Sequence, residues 1–179
     1  MGNSVLKSAS RTACMQSGVH RRASRVGALL EHPDPGLEQP CFDVDPHDGA
    51  TIEVAAALVG TMRSTQGCWS LSAPQLGYPM RLLCFDVTGH EEAHSVMGLV
   101  VLANPRLLSL SGNVEMREQC ISFPRVLVEV ARASHVVVVG TVPGSGREVV
   151  VVADAFEARR ILHELDHLDG ITMLDRIQR

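Results

Sequence analysis

The sequence predicts an α+β domain, with mixed or antiparallel β-sheets packed around a central helix and a second helix nearer the N-terminus. Two observations carry that expectation. Four short runs of β-branched or apolar residues have strand length, and two longer stretches show helix-forming composition and spacing. Ala50–Ser64, rich in Ala, Leu and Val and preceded by Asp48 as a capping residue, predicts the first helix. Gly67, Pro74, Gly77 and Pro79 mark residues 67–79 as loop or irregular strand. Strands are predicted over Arg81–Val87, Gly98–Ala103, His135–Val142 and Glu148–Val152. The last two are joined by Pro143-Gly144-Ser145-Gly146, a hairpin turn. Asp154 with Glu157 reads as a capping box, Phe156–Leu168 as the second helix, and Gly170 as its stop.

At 179 residues, 45% apolar and 20% charged, the chain has an ordinary globular composition and enough length for one core. A net charge of -4 and 3% aromatic residues give no basis for nucleic acid as a partner. No apolar run reaches the roughly 18–20 residues that span a bilayer. Residues 1–27 differ from the rest. They carry Lys7, Arg11, Arg21, Arg22 and Arg25, several serines, and no acid before Glu31. That composition fits an organellar transit segment or a basic disordered tail, with a mitochondrial or other organellar matrix as the expected location and the cytoplasm otherwise. The catalytic domain is expected over 28–179. Five irregularly spaced cysteines make a poor disulfide framework and favour free thiols.

His163-Glu164-Leu165-Asp166-His167 matches H-E-x-x-H. Residues four apart share one helix face, so two imidazoles converge on one ion while the adjacent glutamate addresses a bound water. Ile161, Leu162, Leu165 and Leu168 indicate a buried helix, where bare histidines need partners. A catalytic metal site takes three protein ligands. The residues after His167 offer no His, Cys or Glu, which disfavours a metallopeptidase and points upstream for the third ligand. A cysteine thiolate suits a transition metal. Cys120, in Glu118-Gln119-Cys120-Ile121-Ser122-Phe123-Pro124, is the first candidate; Cys68, just ahead of Ser70-Leu71-Ser72-Ala73-Pro74-Gln75, is its competitor. Cys84, within an apolar strand, reads as a small core residue.

Over residues 28–179 the chain resembles the peptide deformylases. That family carries G-x-G-L-[AS]-A-x-Q, E-G-C-[LI]-S and H-E-x-D-H in this order. Here the segments are Cys68-Trp69-Ser70-Leu71-Ser72-Ala73-Pro74-Gln75, Glu118-Gln119-Cys120-Ile121-Ser122 and the full third motif. His32-Pro33-Asp34-Pro35, Asn104-Pro105, Ala158-Arg159, His167-Leu168-Asp169-Gly170 and Asp175-Arg176 add further matches. The resemblance implies that Cys120, His163 and His167 hold one divalent ion, Fe2+ foremost, with Zn2+, Co2+ or Ni2+ able to substitute. It implies hydrolysis by metal-bound hydroxide, with Glu164 as general base, and an oxyanion site made by the Gln75 amide and the Ile121 backbone N–H. The substrate implied is the N-formyl-methionyl end of a nascent chain, including chains on organellar ribosomes. It would lie as an added strand along Ser70 and Leu71, near Gln119.

Three glycines of the family pattern are replaced, by Cys68, Ser70 and Gln119, and Leu162 stands where Gln is favoured. Glycine in such places permits positive φ or close backbone approach. The Ser70 and Gln119 side chains are therefore expected to intrude on the cleft, and restoring glycine at both to raise kcat/KM about tenfold. The alternative function is that of a divergent paralogue, acting on another small acyl amide or binding peptide N-termini with little turnover. Trp69 reads as packing, His90 and His94 as solvated loop residues, and Arg132 as the orienting partner of a structural carboxylate.

Overall fold

The structure, a computed structural model, describes residues 27–177. The basic leader or tail read in residues 1–27 therefore lies, Gly27 apart, outside the described residues. Helix α1 spans Gly49–Ser64 and begins where predicted: the Asp48 carboxylate accepts from the Thr51 N–H. Val54, Leu58 and Met62, one turn apart, form its buried stripe.

The strands are β1 Ser70–Ser72, β2 Leu82–Phe85, β3 Val100–Ser111, β4 Val114–Glu118, β5 Val128–Arg132, β6 His135–Thr141 and β7 Glu148–Asp154. Five of them form an antiparallel sheet in the order β1-β2-β3-β6-β7, and β4 pairs with β5 separately. Side chains alternate along β2. Leu83 and Phe85 face helix α2 (Ala155–Leu168), where Ala158, Ile161, Leu165 and Leu168 complete a core with Leu102, Val136, Val138 and Val151. Leu82 and Cys84 face α1 and pack with Leu58, Met62 and Leu71. The sheet thus lies between the two helices. Cys84 is fully buried, as its apolar surroundings predict. Arg159 of α2 donates to the Val130 and Val114 carbonyls, so the β4–β5 pair closes over the polar side of the same helix.

Three features depart from the sequence reading. β3 does not end at Ala103. Asn104, at φ 50, takes the chain through a bulge, and the strand continues to Ser111. The Asn104 amide bonds both backbone groups of Val44 at 2.8 Å, docking the segment ahead of α1 onto the sheet. β4 and β5 break the apolar alternation because Glu118 and Arg132 occupy inward positions, at 2% and 6% exposure, as an ion pair. Finally, Asp154 makes no side-chain cap. Its carboxylate accepts from Ser95 N, while Glu157 accepts from Ser95 Oγ and Met97 N. The two acids tie a remote loop to the start of α2 instead of closing its first turn.

Gly170 ends α2 at φ +72, and a Cβ there would fall 2.8 Å from the Glu38 carbonyl oxygen. Gly170→Ala is expected to destabilise the fold by about 2 kcal/mol, read as a lower urea midpoint at unchanged slope.

Candidate active site

Helix α2 is buried on two sides for different reasons. Its apolar side completes the core, while Arg159, His163, Glu164, Asp166 and His167 are buried polar groups that require partners. Glu118, at the end of β4, supplies several. Its carboxylate accepts from Arg132 Nε and NH2 at 2.7 Å each, from Arg159 NH1 at 3.1 Å, and lies 2.6 Å from His163 Nδ1. Burial alone would raise its pKa, but Arg132 and His163 hold it well below the usual carboxylate range. An ionised carboxylate only accepts, so His163 Nδ1 carries a proton and Nε2 is the nitrogen left to face Cys120 and His167, ready to bind an ion once it gives up its own proton. Arg132 also donates to Asp166 at 2.7 Å, and Arg176 braces Asp166 from the far side at 2.6 Å. Arg132 thus does orient a structural carboxylate; indeed it orients two.

The ligand atoms of Cys120, His163 and His167 all lie within 4.8 Å of one another, and Cys120 Sγ is 3.3 Å from His167 Nε2. The backbone explains this convergence. His163 and His167 are one turn apart on α2, and Cys120 follows β4 by two residues. The N-terminal segment braces two motifs together, with Leu30 N bonded to Gln75 O and His32 N to Ser122 O. Gln75 accepts at Oε1 from Ser72 N and Oγ, which turns its Nε2 toward Ser122 Oγ at 3.1 Å and Cys120 Sγ at 3.4 Å. Burial would raise the Cys120 thiol, but His163 and His167 outweigh it and bring the pKa down to about 5. Burial and Arg160 would lower His163; Cys120 and Glu118 outweigh them and raise it to about 9.

The donor set fits a metal ion. His163 Nε2 is buried and has no hydrogen-bond partner among the described residues, although it points at a thiolate and a second imidazole. A buried ring nitrogen without a partner in such a place is costly unless a cation, a proton or a metal ion, sits on it.

Glu164 is fully buried. Its Oε1 accepts from Ser70 Oγ at 2.6 Å and from Arg160 NH2 at 3.3 Å. Burial would raise its pKa, but His163, His167, Arg160 and the Ser70 hydrogen bond bring it below the usual carboxylate range. A cleft of about 250 Å³ opens beside these groups, lined by Cys68, Ser70, Gln119, Cys120, Ile121 and Arg160 among others. Another hollow, about 280 Å³, lies against β6 and β7 and contains none of the motif residues.

The remaining candidates separate clearly. Cys68 lines the cleft but stands outside the ligand cluster; its thiol donates to the Ser70 carbonyl, and burial followed by Glu164 pushes its pKa up to about 11. Leu71 is fully buried in the core, paired with Cys84 of β2, and does not line the cleft. Gln119 is exposed at the rim. Among the described residues, positive φ outside glycine occurs at Asn104, Arg125 and Ala155, so none of Cys68, Ser70 or Gln119 occupies a left-handed backbone. Trp69 packs edge-on to His90, which stacks on Phe156 at 3.6 Å. His90 is therefore a half-buried packing residue and not a solvated one, whereas His94 is exposed. Arg160 was not singled out from the sequence, although its i, i+4 spacing to Glu164 was the available signal.

One soft and two borderline ligands with a carboxylate alongside belong to the chemistry of metal-dependent hydrolases. Comparison with known proteins agrees and narrows the class. The model of the polypeptide deformylase family matches residues 26–179. The peptide deformylase of Halothermothrix orenii is 36% identical over 146 residues, covering 82% of this chain and 90% of its own length. That of Thermodesulfovibrio yellowstonii is 32% identical over 153 residues, with coverage of 84% and 90%. The crystal structure of the Thermotoga maritima enzyme superposes with a TM-score of 0.75 at 28% identity, covering 85% of this chain and 97% of that one. The chain belongs to the polypeptide deformylase family, and so to the metal-dependent hydrolases that remove the N-formyl group from nascent peptides.

The two pKa shifts set how many protons leave when the site fills. In metal-free protein at pH 7, Cys120 is already a thiolate and His163 is protonated, with values of about 5 and about 9. Ligation needs a neutral His163 ring, so that ring releases one proton at pH 7 and none once the pH has risen well past about 9. Below about pH 5 the Cys120 thiol adds a second. Calorimetric titration with Zn2+ in buffers of different ionisation enthalpy checks this. A release that stays flat from pH 7 to 10 would mean that His163 is neutral in the metal-free protein.

Proposed function

We propose that Cys120, His163 and His167 hold one Fe2+, which Zn2+, Co2+ or Ni2+ can replace, and that this chain deformylates N-formyl-methionyl peptides in the adjoining cleft. The observation that carries the proposal is a three-donor cluster within 4.8 Å, with the buried Glu164 Oε2, which has no partner among the described residues, on the same turn of α2. When bound, the ion supplies Lewis-acid activation of water near neutral pH. The protein supplies the rest. Glu164, held ionised, takes a proton from the attacking water at Oε2 and passes it to the leaving amine. Gln75 Nε2 and the Ile121 backbone N–H donate to the oxygen of the formyl group as it gains charge. The Gln75 amide is locked for this by Ser72, which removes the freedom to present its oxygen instead.

The peptide adds to β1. Among the described residues that strand is the edge of the sheet and pairs with β2, which leaves its outer side to an extended chain. Gln119 and Ile121 line the facing wall of the cleft. The Arg- and Ser-rich, acid-free start supports an organellar matrix location, mitochondrial foremost, with nascent chains on organellar ribosomes as substrates. Residues 1–27 fused to a fluorescent protein are expected to direct it to the organelle; a diffuse cytosolic signal would return the enzyme to the cytoplasm.

The main test separates ligation from proton transfer. Metal-loaded wild-type protein is expected to release formate from a formyl-Met tripeptide. Glu164→Gln, nearly isosteric, is expected to keep its metal and lose at least about 10²-fold in kcat. Full turnover by the metal-loaded variant would remove Glu164 from its role.

A further inference from the structure

The two oxygens of Glu164 are held differently. Oε1 accepts from Ser70 Oγ and from Arg160 NH2, whereas Oε2 is buried and takes no partner among the described residues. Arg160 is itself fixed. Its Nε donates to Ser70 Oγ at 2.8 Å, and its NH1 donates to the Gln119 carbonyl at 3.2 Å. One guanidinium therefore links β1, the loop that carries Cys120, and the helix turn that carries Glu164. Both side chains are well shielded, Ser70 at 2% exposure and the Arg160 side chain at 12%. A plain surface i, i+4 pair would have neither this shielding nor a hydroxyl inserted between its partners.

We infer that Ser70 and Arg160 are positioning residues that anchor Glu164 Oε1, so that the carboxylate cannot rotate and Oε2 is left as its single working proton acceptor. The inference rests on the reading of Glu164 as proton carrier. Its physical basis is directional. Ser70 Oγ has one proton, and its two bonds use it as donor to Glu164 and as acceptor from Arg160. Arg160, having no proton to lose, fixes that direction. Tilting the carboxylate part-way about Cγ–Cδ would break both charge-assisted bonds, which are roughly twice as strong as neutral ones. A full half-turn only exchanges two equivalent oxygens, so one oxygen is always held and the other always left to work. The serine at this glycine position thus acts on the base, and does more than narrow the cleft. Replacing it by glycine alone is expected to slow the enzyme, contrary to the gain that the family pattern suggests.

The test compares Ser70→Ala, Arg160→Ala and the double variant with wild type at equal, measured Co2+ occupancy. The substrate is a formyl-Met tripeptide, with kcat and KM determined separately and thermal midpoints recorded. Each single variant is expected to lower kcat about tenfold while KM stays within about twofold. The double variant is expected to be no slower than the slower single, because both act through one oxygen. Wild-type kcat in either single variant, with or without a lower midpoint, would overturn the anchor and leave a structural contact. So would a loss confined to KM, or single losses that multiply in the double variant. Glu164→Gln in the same series separates the two readings. If it is inactive while Ser70→Ala is normal, only the anchor fails; if it is active, the proton carrier fails with it.

Discussion

A carboxylate almost out of reach of water holds this molecule's chemistry in place. Glu118 is 2% exposed, and an unpaired charge at such a position would cost far more than a domain of this size can lose. It is kept ionised by donors from two elements: Arg132 on β5, and Arg159 and His163 on α2. Each partner has further duties. Arg132 reaches Asp166, Asp166 receives Arg176, and Arg159 caps carbonyls of β4 and β5. A buried pair of this kind is weak support for stability in itself, since desolvation offsets much of the attraction. Its effect is on geometry, because any displacement of β4 against α2 leaves a charge unpaired.

That geometry fixes protonation as well as position. With Glu118 unable to donate, His163 must present Nε2 toward the site, and its raised pKa and the lowered pKa of Cys120 describe the same attraction from two sides. The metal-free site is thus already polarised as thiolate and imidazolium. Glu164 joins the same field on the next residue of the helix, and the low-dielectric surroundings strengthen every one of these terms.

How much of this was legible in the sequence follows the physics of each part. The H-E-x-x-H spacing is a statement about one helix face, and α2 with His163 and His167 one turn apart is what such spacing produces. The choice between Cys120 and Cys68 was open on the residues alone and needed the motif around Cys120; in the structure the distinction is electrostatic, between a thiol lowered to about 5 and one raised to about 11. α1, the β6–β7 hairpin and the end of α2 followed from caps, turns and periodicity. β4 and β5 did not, because their inward positions are filled by Glu118 and Arg132, and a buried ion pair looks like solvent-facing sequence. β1 falls inside the 67–79 stretch read as loop or irregular strand, but its burial was not legible: in Ser-Leu-Ser the serines are buried by bonds to Glu164 and Gln75, which no local pattern records. Asp154 and Glu157 satisfied a capping rule in sequence, yet tertiary donors at Ser95 and Met97 took both carboxylates.

The replaced glycines show where family pattern and physical requirement part company. A glycine is obligatory when φ is positive or another backbone lies against its Cα, as at Gly170. Cys68, Ser70 and Gln119 are under no positive-φ demand. A side chain at residue 70 then requires only that its polar atom be satisfied where it is buried. Ser70 meets that condition through two neighbours on α2, Glu164 and Arg160, the latter four residues before the former. The ligands allow no such exchange, since thiolate and imidazole are fixed by what the ion accepts. Change is therefore admitted on the wall of the cleft and refused at its floor. What the wall side chains do there depends on which floor atoms they reach, and Ser70 reaches the carboxylate of Glu164.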